Sequence, residues 1–563
     1  MRMVTHLPQY SAEHSIDRRK LLRSAALGLA QVGTLASTLW LPRSSWAQPR
    51  FQNNPFTLGV ASGSPMHDSV VLWTRLVDNS GLFGSKLGSE AVTVRWEMAL
   101  DDQFSRVVQT GQTQAVAALA HSVHVEVPNL QPDRWYFYRF MAGDVISPMG
   151  KTRTFPAPGT PAAKLRLAYA SCQRWEYGYF SAYKHMLAEN LDAVMFLGDY
   201  IYEYPGAANG IRIPNMTSSL GFTLTLDDYR ARYATYKGEA DLQAMHAACP
   251  WLITWDDHEV HNDYAGLSAG DSSAADVFSN PKDFAKRRAA AYQAFYEHMP
   301  IRASSLMKSF TGMVNHASNA EMRIYNRVDF GNLATFYMLD ARQYKDPLVC
   351  TKDGKAGSSW VNPDKCAAWN DPKRTMLGAP QEQWLSTEMG KSVKSNQIWN
   401  VVGQQSLFGQ RDGQPGPEQS LWNDGWDGYT AARTRMTDAL QKNAVRNTVF
   451  LGGDVHENWV GHIKADYSPS AAAQNAANVG VEFCGTSLTS RSSGVAKVTE
   501  RLAENPHFVF ADAKMRGYGV VEFTPKQLTT TLRVSDDVTR KDSGISTLAQ
   551  FAVTAGRAVV EKV

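Results

Sequence analysis

The chain has 563 residues, 44% hydrophobic, 20% charged and 11% aromatic, an ordinary folded composition that excludes global disorder, collagen-like repeats and a multi-span membrane protein. That length accommodates one large domain and a smaller one. The formal charge of +3 rests on 57 basic against 54 acidic residues, yet residues 1–47 carry six of the former and two of the latter; without them the balance is 51 against 52, and a nucleic-acid partner has no electrostatic support.

In chain order, residues 1–47 place Arg18 and Arg19 ahead of a moderately apolar run at 25–41, and Ser45-Trp46-Ala47 follows as a small-x-small cleavage site. This predicts a twin-arginine export signal, engagement of the twin-arginine translocase, and a periplasmic or secreted mature protein. No later segment reaches ~18 uninterrupted apolar residues, so no transmembrane anchor is expected after cleavage. Residues 51–157 hold short alternating runs at turn-separated intervals, the pattern of a small antiparallel β-sandwich. Its segment 130–138, LQPDRWYFY, resembles the late-strand signature of a fibronectin type III module, and the Pro-rich stretch 155–161 reads as a linker.

The grammar changes after that linker, and residues 163–540 read as a catalytic α/β domain with 541–563 as a C-terminal tail or helix. A buried-strand run at 165–170, a helical period over 177–190 and a second run at 193–197 make a βαβ unit. Further strand runs stand at 251–255, 398–402 and 448–451, residues 284–299 read as a peripheral amphipathic helix, and 519–523 with 528–533 as a closing hairpin. The five parallel-type runs end in polar clusters at 171–173, 198–202, 256–259, 403–405 and 452–456. Ligands gather at the carboxyl ends of strands in α/β sheets, so these clusters should converge in one site.

Their composition suits metals. Asp199 and Tyr202, three apart, would share one face of a helical turn, and Asp454 and His456, two apart, one side of an extended segment. With Cys172 they supply a thiolate, a phenolate, an imidazole and a carboxylate, a set suited to ferric iron. If Asp199 bridges, Asp257 and Asp454 make an all-oxygen second position for calcium, with manganese, magnesium or zinc as substitutes. Two cations bridged by one carboxylate can hold a hydroxide for attack on phosphorus, and His258 is placed to protonate the leaving oxygen. Asn262, Gln405 and Arg174 are further candidates near the metals or the phosphate. Of five cysteines, Cys350 and Cys366 flank a polar loop that one disulfide could staple; the pairing of Cys249 and Cys484 is not legible.

These motifs (FTLGVASG from 56, ASCQ from 170, FLGDYIYEY from 196, WDDHEVHNDYA from 255, LGGDVH from 451) together resemble the alkaline phosphatase D (PhoD-like) branch of the calcineurin-like metallophosphoesterases. The resemblance implies a four-layer α/β/β/α metallophosphoesterase domain preceded by a fibronectin type III-like antiparallel β-sandwich, and a site of ferric iron with calcium. It makes Cys172, Tyr202 and His456 iron ligands, Asp199 the bridge, Asp257 and Asp454 calcium-side ligands, and His258 the residue near the leaving group. The expected activity is hydrolysis of phosphodiesters, with phosphomonoesters as further substrates. The alternatives are a strict phosphomonoesterase, or a cell-surface polymer-binding protein whose metal site is inactive. The loops that would select a substrate, 205–227 and 344–380, carry no readable code.

Overall fold

Near-continuous apolar runs with no polar face are what a strand covered on both sides requires. The computed structural model describes residues 51–563 except 52, 78–86, 208, 214–220, 271–279, 307–320, 353–355 and 468–475; the expected export signal lies outside the described residues. Counting strands β1 to β24 along the chain, the runs become β9 (Leu165–Ala170), β10 (Ala193–Leu197) and β11 (Trp251–Thr254), parallel neighbours, and β13 (Ala334–Met338), β15 (Trp399–Gly403), β17 (Thr448–Gly452) and β19 (Asn478–Cys484), a second parallel set. The two sets lie in facing sheets. Leu167, Met195 and Leu252 of the first pack against Phe336, Val401, Val449 and Phe483 of the second. On the outer face of the first sheet, Ala168, Phe196 and Ile253 pack under the helices Leu226–Lys237 and Pro281–His298. On the outer face of the second, Tyr337, Val402 and Phe450 pack under Ala379–Lys394 and Thr430–Lys442. The result is the four-layer α/β/β/α order. The helical period over 177–190 resolves into a short helix, Ser181–Met186, followed by a 3-10 turn at Leu187–Glu189.

The N-terminal sandwich is present, with an altered border. β3 (Val92–Ala99), β4 (Val107–Ala115), β6 (Trp135–Ala142), β7 (Val145–Ile146) and β8 (Gly150–Arg153) form one antiparallel sheet. Its Val94, Met98, Tyr138 and Phe140 pack on Val60, Val70, Leu72 and Val125 of β1 (Val60–Gly63), β2 (Val70–Arg75) and β5 (Ser122–Val127). That inner sheet does not end at a domain boundary. β1 runs parallel beside β11, with Gly63 opposite Trp251 and the Ser64 N–H donating to the Trp251 carbonyl at 3.2 Å, so β1, β2 and β5 extend the ten-stranded first sheet. Trp73 Nε1 also donates to the Glu297 carbonyl at 3.0 Å across the same seam.

The C-terminal expectation requires correction: 541–563 is neither a tail nor a helix. β21 (Arg516–Phe523), β22 (Gln527–Ser535), β23 (Ile545–Thr554) and β24 (Glu561–Lys562) continue the first sheet outward from β9. The reason is the period of two at Ala549, Phe551 and Val553, which buries alternate side chains in the core between the sheets. Cys350 and Cys366 are joined by a disulfide with Cα atoms 6.0 Å apart. It closes the loop carrying β14 (Trp360–Val361), which pairs with β16 (Leu421–Trp422) over the carboxyl end of the second sheet. Among the described residues no helix is long and apolar enough to cross a membrane.

Candidate metal centre

The two sheets meet closely where their strands end: a Cβ on Gly453 would collide with Ser171 Oγ, so only glycine lets the segments after β9 and β17 approach. That approach brings together Cys172, Asp199, Tyr202, Asp257, His258, Asp454 and His456. Cys172, Asp199 and His456 offer ligand atoms within 4.8 Å of one another, as do Asp199, Asp257 and His258, and Asp199, Asp256 and Asp454. Asp199 belongs to all three groups, the position a bridging carboxylate occupies. A fourth group, Asp257, Asp263 and Asp424, is all oxygen, a donor set for a hard cation.

Four of these residues sit in left-handed backbone: Cys172 at φ 59°, Asp199 at 56°, Asp454 at 65° and His456 at 58°. Each such non-glycine costs of order 1–3 kcal/mol and persists only where the surroundings enforce it. The expected helical turn at 199–202 and extended segment at 454–456 are therefore absent. The side chains converge because the chain turns sharply at each strand end.

The donors fit a cation. Asp199 Oδ2 accepts from Tyr202 Oη at 2.9 Å and Asp257 Oδ2 from the Asp263 N–H at 2.7 Å, while Asp199 Oδ1, Asp257 Oδ1 and Asp256 Oδ2 are buried with no hydrogen-bond partner among the described residues. Buried, unpaired carboxylate oxygens are costly unless a positive ion meets them. Burial drives the Asp199 and Asp256 carboxyls well above the usual range and Asp454 to about 7. Burial, then the Asp199 charge, raises the Cys172 thiol. His456 Nδ1 lies 2.7 Å from the Arg491 carbonyl, and burial lowers the ring to about 4; a neutral imidazole donating there turns Nε2, 3.2 Å from Tyr202 Oη, to the site as a lone pair. Tyr202 Oη also lies 2.8 Å from Ser490 Oγ.

Several contributors escaped the sequence reading. Glu259 accepts from the backbone N–H groups of Asp199, Tyr200 and Asp256, tying the ends of β10 and β11 together. Glu203 Oε2 lies 2.7 Å from His258 Nδ1; burial alone would lower the imidazole, but Glu203, Asp199 and Asp257 outweigh it and hold His258 well above its ordinary value. Arg342 sits beneath the carboxylates, bonded to Asp256 and, at 2.7 Å, to Asp424. Glu203 and Glu259 directly follow Tyr202 and His258, and an acid beside a candidate ligand was the available signal.

Of the further candidates, Asn262 lines the cleft. Gln405 does not: its amide spans Thr254, Trp255, Leu339 and Ala341, each within 3.2 Å, and locks the ends of β11 and β13 from behind. Arg174 pairs with Glu176 at 3.6 Å and stacks 5.5 Å from the Tyr202 ring centre, outside the cleft lining. Facing sheets that bring carboxylate and imidazole groups to one acidic cleft, with a thiol and a phenol buried against them, define a phosphoesterase of the α/β/β/α class.

Two family models cover the chain: PhoD-like phosphatase at residues 167–532 and PhoD-like phosphatase, N-terminal domain, at 42–156. The chain is 40% identical over 556 residues to alkaline phosphatase D of Bacillus subtilis (strain 168), covering 98% of this chain and 90% of that one. A solved structure described as PhoD superposes with a TM-score of 0.81 at 41% identity, covering 92% of this chain and 93% of that one. This chain belongs to the PhoD-like phosphatase family and is a hydrolase of phosphoric ester bonds.

Proposed function

We propose that the chain is an exported, metal-dependent phosphoesterase that prefers phosphodiesters. The observation that carries the metal is Asp199: one carboxylate shared by three ligand groups, with a buried oxygen that has no hydrogen-bond partner among the described residues. Cys172, Tyr202 and His456 would hold a ferric ion with Asp199, and Asp257 and Asp454 a calcium ion on the other side of Asp199. Such a metal pair would supply Lewis acidity toward the phosphoryl oxygens and lower the pKa of water. The protein's own part is acid catalysis and orientation. Glu203 occupies Nδ1 of His258, so Nε2 is the atom that gives a proton to the leaving alkoxide, and the Glu203 carboxylate keeps the imidazolium charged until it does. Export would depend on Arg18 and Arg19; Lys at both positions should leave the precursor in the cytoplasm.

The test is hydrolysis of bis-p-nitrophenyl phosphate beside p-nitrophenyl phosphate, by protein folded with iron and calcium, with metal content measured on the same samples. Asp199→Asn should lose at least ~1000-fold in kcat and about one metal equivalent. Full activity in the variant would sink the metal-centre reading, and a monoester rate far above the diester rate would make the chain a phosphomonoesterase.

A further inference from the structure

The cleft over the acidic floor has a second wall of opposite character. Trp360 and Trp422, on the paired strands β14 and β16, have ring centres 5.3 Å apart, and Arg411, Arg501 and Lys497 line the same cavity of about 330 Å3 as Asp199 and His258. The Arg501 guanidinium lies 4.6 Å from the Trp360 ring centre and the Arg411 guanidinium 5.5 Å from it, and such stacking holds each planar group in orientation. Both share one counter-charge: Arg411 Nη1 donates to Glu457 Oε2 at 2.9 Å, and Arg501 Nη1 is 3.6 Å from Glu457 Oε1. Glu457 is already committed, since it also accepts from Trp459 Nε1 at 2.9 Å and from Ser493 Oγ. With Lys497 exposed at the rim, the wall carries three cations against one carboxylate. Arg501 is only 6% exposed, and its Nε has no hydrogen-bond partner among the described residues.

Two largely buried guanidinium groups that share one carboxylate leave the wall short of negative charge, and what relieves it is an oxyanion in the cleft. The planar fork of arginine matches phosphoryl oxygens in a bidentate way. The scissile phosphoryl group belongs on the floor, so a neutral leaving group against this wall would leave its charge unanswered. We propose that Arg411, Arg501 and Lys497, oriented by Trp360, form a subsite for a second phosphoryl group of the same substrate. The natural substrates are then molecules with at least two phosphoryl groups. The proposal rests on the phosphoesterase reading of the floor, and the subsite can be tested apart from it.

Two p-nitrophenyl diesters make the test, one with glycerol and one with glycerol 3-phosphate as the other arm, so that they differ only in the second phosphoryl group. The enzyme should favour the second about tenfold or more in kcat/KM, and Arg501→Gln should shrink that ratio about tenfold, toward unity. Lys497→Gln, on the exposed first turn of the helix Val495–Glu504, threatens no packing and should shrink it about two- to fivefold, with a preference that weakens as salt rises. An unchanged ratio in both variants overturns the proposal, and so does an equal loss on both substrates, which would place these cations on the scissile group. Binding of propane-1,3-diyl bisphosphate against propyl phosphate, followed by tryptophan fluorescence, reads the same preference without turnover. Equal affinities overturn the subsite; a bisphosphate preference that Arg501→Gln abolishes, in a protein that cleaves neither diester, upholds it and overturns the phosphodiester preference instead.

Discussion

Two clusters of like charge are buried in this chain, and they meet different fates. The acidic one lies at the carboxyl ends of β10, β11 and β17. The basic one, Arg75, Lys237, His246 and His298, lies at the seam between the N-terminal strands and the helices of the first outer layer. Desolvation works on both, raising Asp454 to about 7 and lowering Lys237 to about 7, with His246 and His298 held well below their ordinary value. The basic cluster is sealed by rings: Lys237 lies 4.1 Å from the Trp73 centre, His246 is stacked at 3.8 Å on Trp251 and His298 at 4.7 Å on Tyr233. Its histidines stay neutral and Lys237 gives up its proton near neutrality, while Arg75, lowered only to about 10, keeps its charge with the Glu297 carboxylate as counter-charge. The acidic cluster opens on a cleft, with oxygens that nothing in the described protein satisfies. Buried like charge becomes a binding site only where a counter-ion has a way in.

The contrast can be broken most forcefully at Arg342, which with Lys345 supplies the internal positive charge of the acidic cluster. Arg342→Met should cost the metal-free protein about 3–5 kcal/mol, because it strands Asp256 and leaves Asp424 to Lys345 alone, and appreciably less with saturating metal, which stabilises the folded state. Urea melts with and without metal measure this, and an equal loss in both would mean that no cation relieves the floor. Glu203→Gln should lower kcat about 10- to 100-fold with little change in KM, by releasing His258 from its orienting carboxylate. A rise in KM alone would show that Glu203 serves binding instead.

The smallest effect belongs to the basic side. The Lys237 ammonium has its pKa at about 7 in the folded protein against 10.5 in the unfolded chain, so between those values only the unfolded chain holds the proton. Stability therefore rises with pH through that window, and the burial penalty is fully present below it. Lys237→Met should stabilise by on the order of 2 kcal/mol at pH 6, the gain shrinking toward zero near pH 10.5. Unfolding free energies at pH 6, 8 and 10 would show the slope flatten; a pH-independent gain would mean that packing, not charge, was the cause.

The strand ends were legible because a strand buried on both faces has to be apolar throughout, so the polar residues that follow it stand out. Cys172, Asp199, Asp257, His258, Asp454 and His456 meet in the structure for that reason. The spacing arguments within each cluster misled, since periods of 3.6 and 2 presume regular backbone and these positions are left-handed. Gln405 followed the same strand-end rule yet turned away, because an amide can satisfy buried carbonyls that a carboxylate cannot. Arg342 was missed with its strand: residues 333–339 are another apolar run, ending in Asp340-Ala341-Arg342. Trp360, Arg411 and Arg501 lie on three separate segments, and only the folded chain brings them to one wall.

The pairing of β1 with β11 has a consequence for how the molecule can be divided. Cutting after the Pro-rich stretch at 155–161 would not release a self-contained enzyme but uncover the flank of β11, leaving the Trp251 carbonyl and the seam-facing Glu297 carbonyl without their donors. An open strand flank invites another chain to pair with it. Residues 51–157 are thus a selvedge woven into the catalytic sheet, and shortened versions of this enzyme should clump before they lose their chemistry.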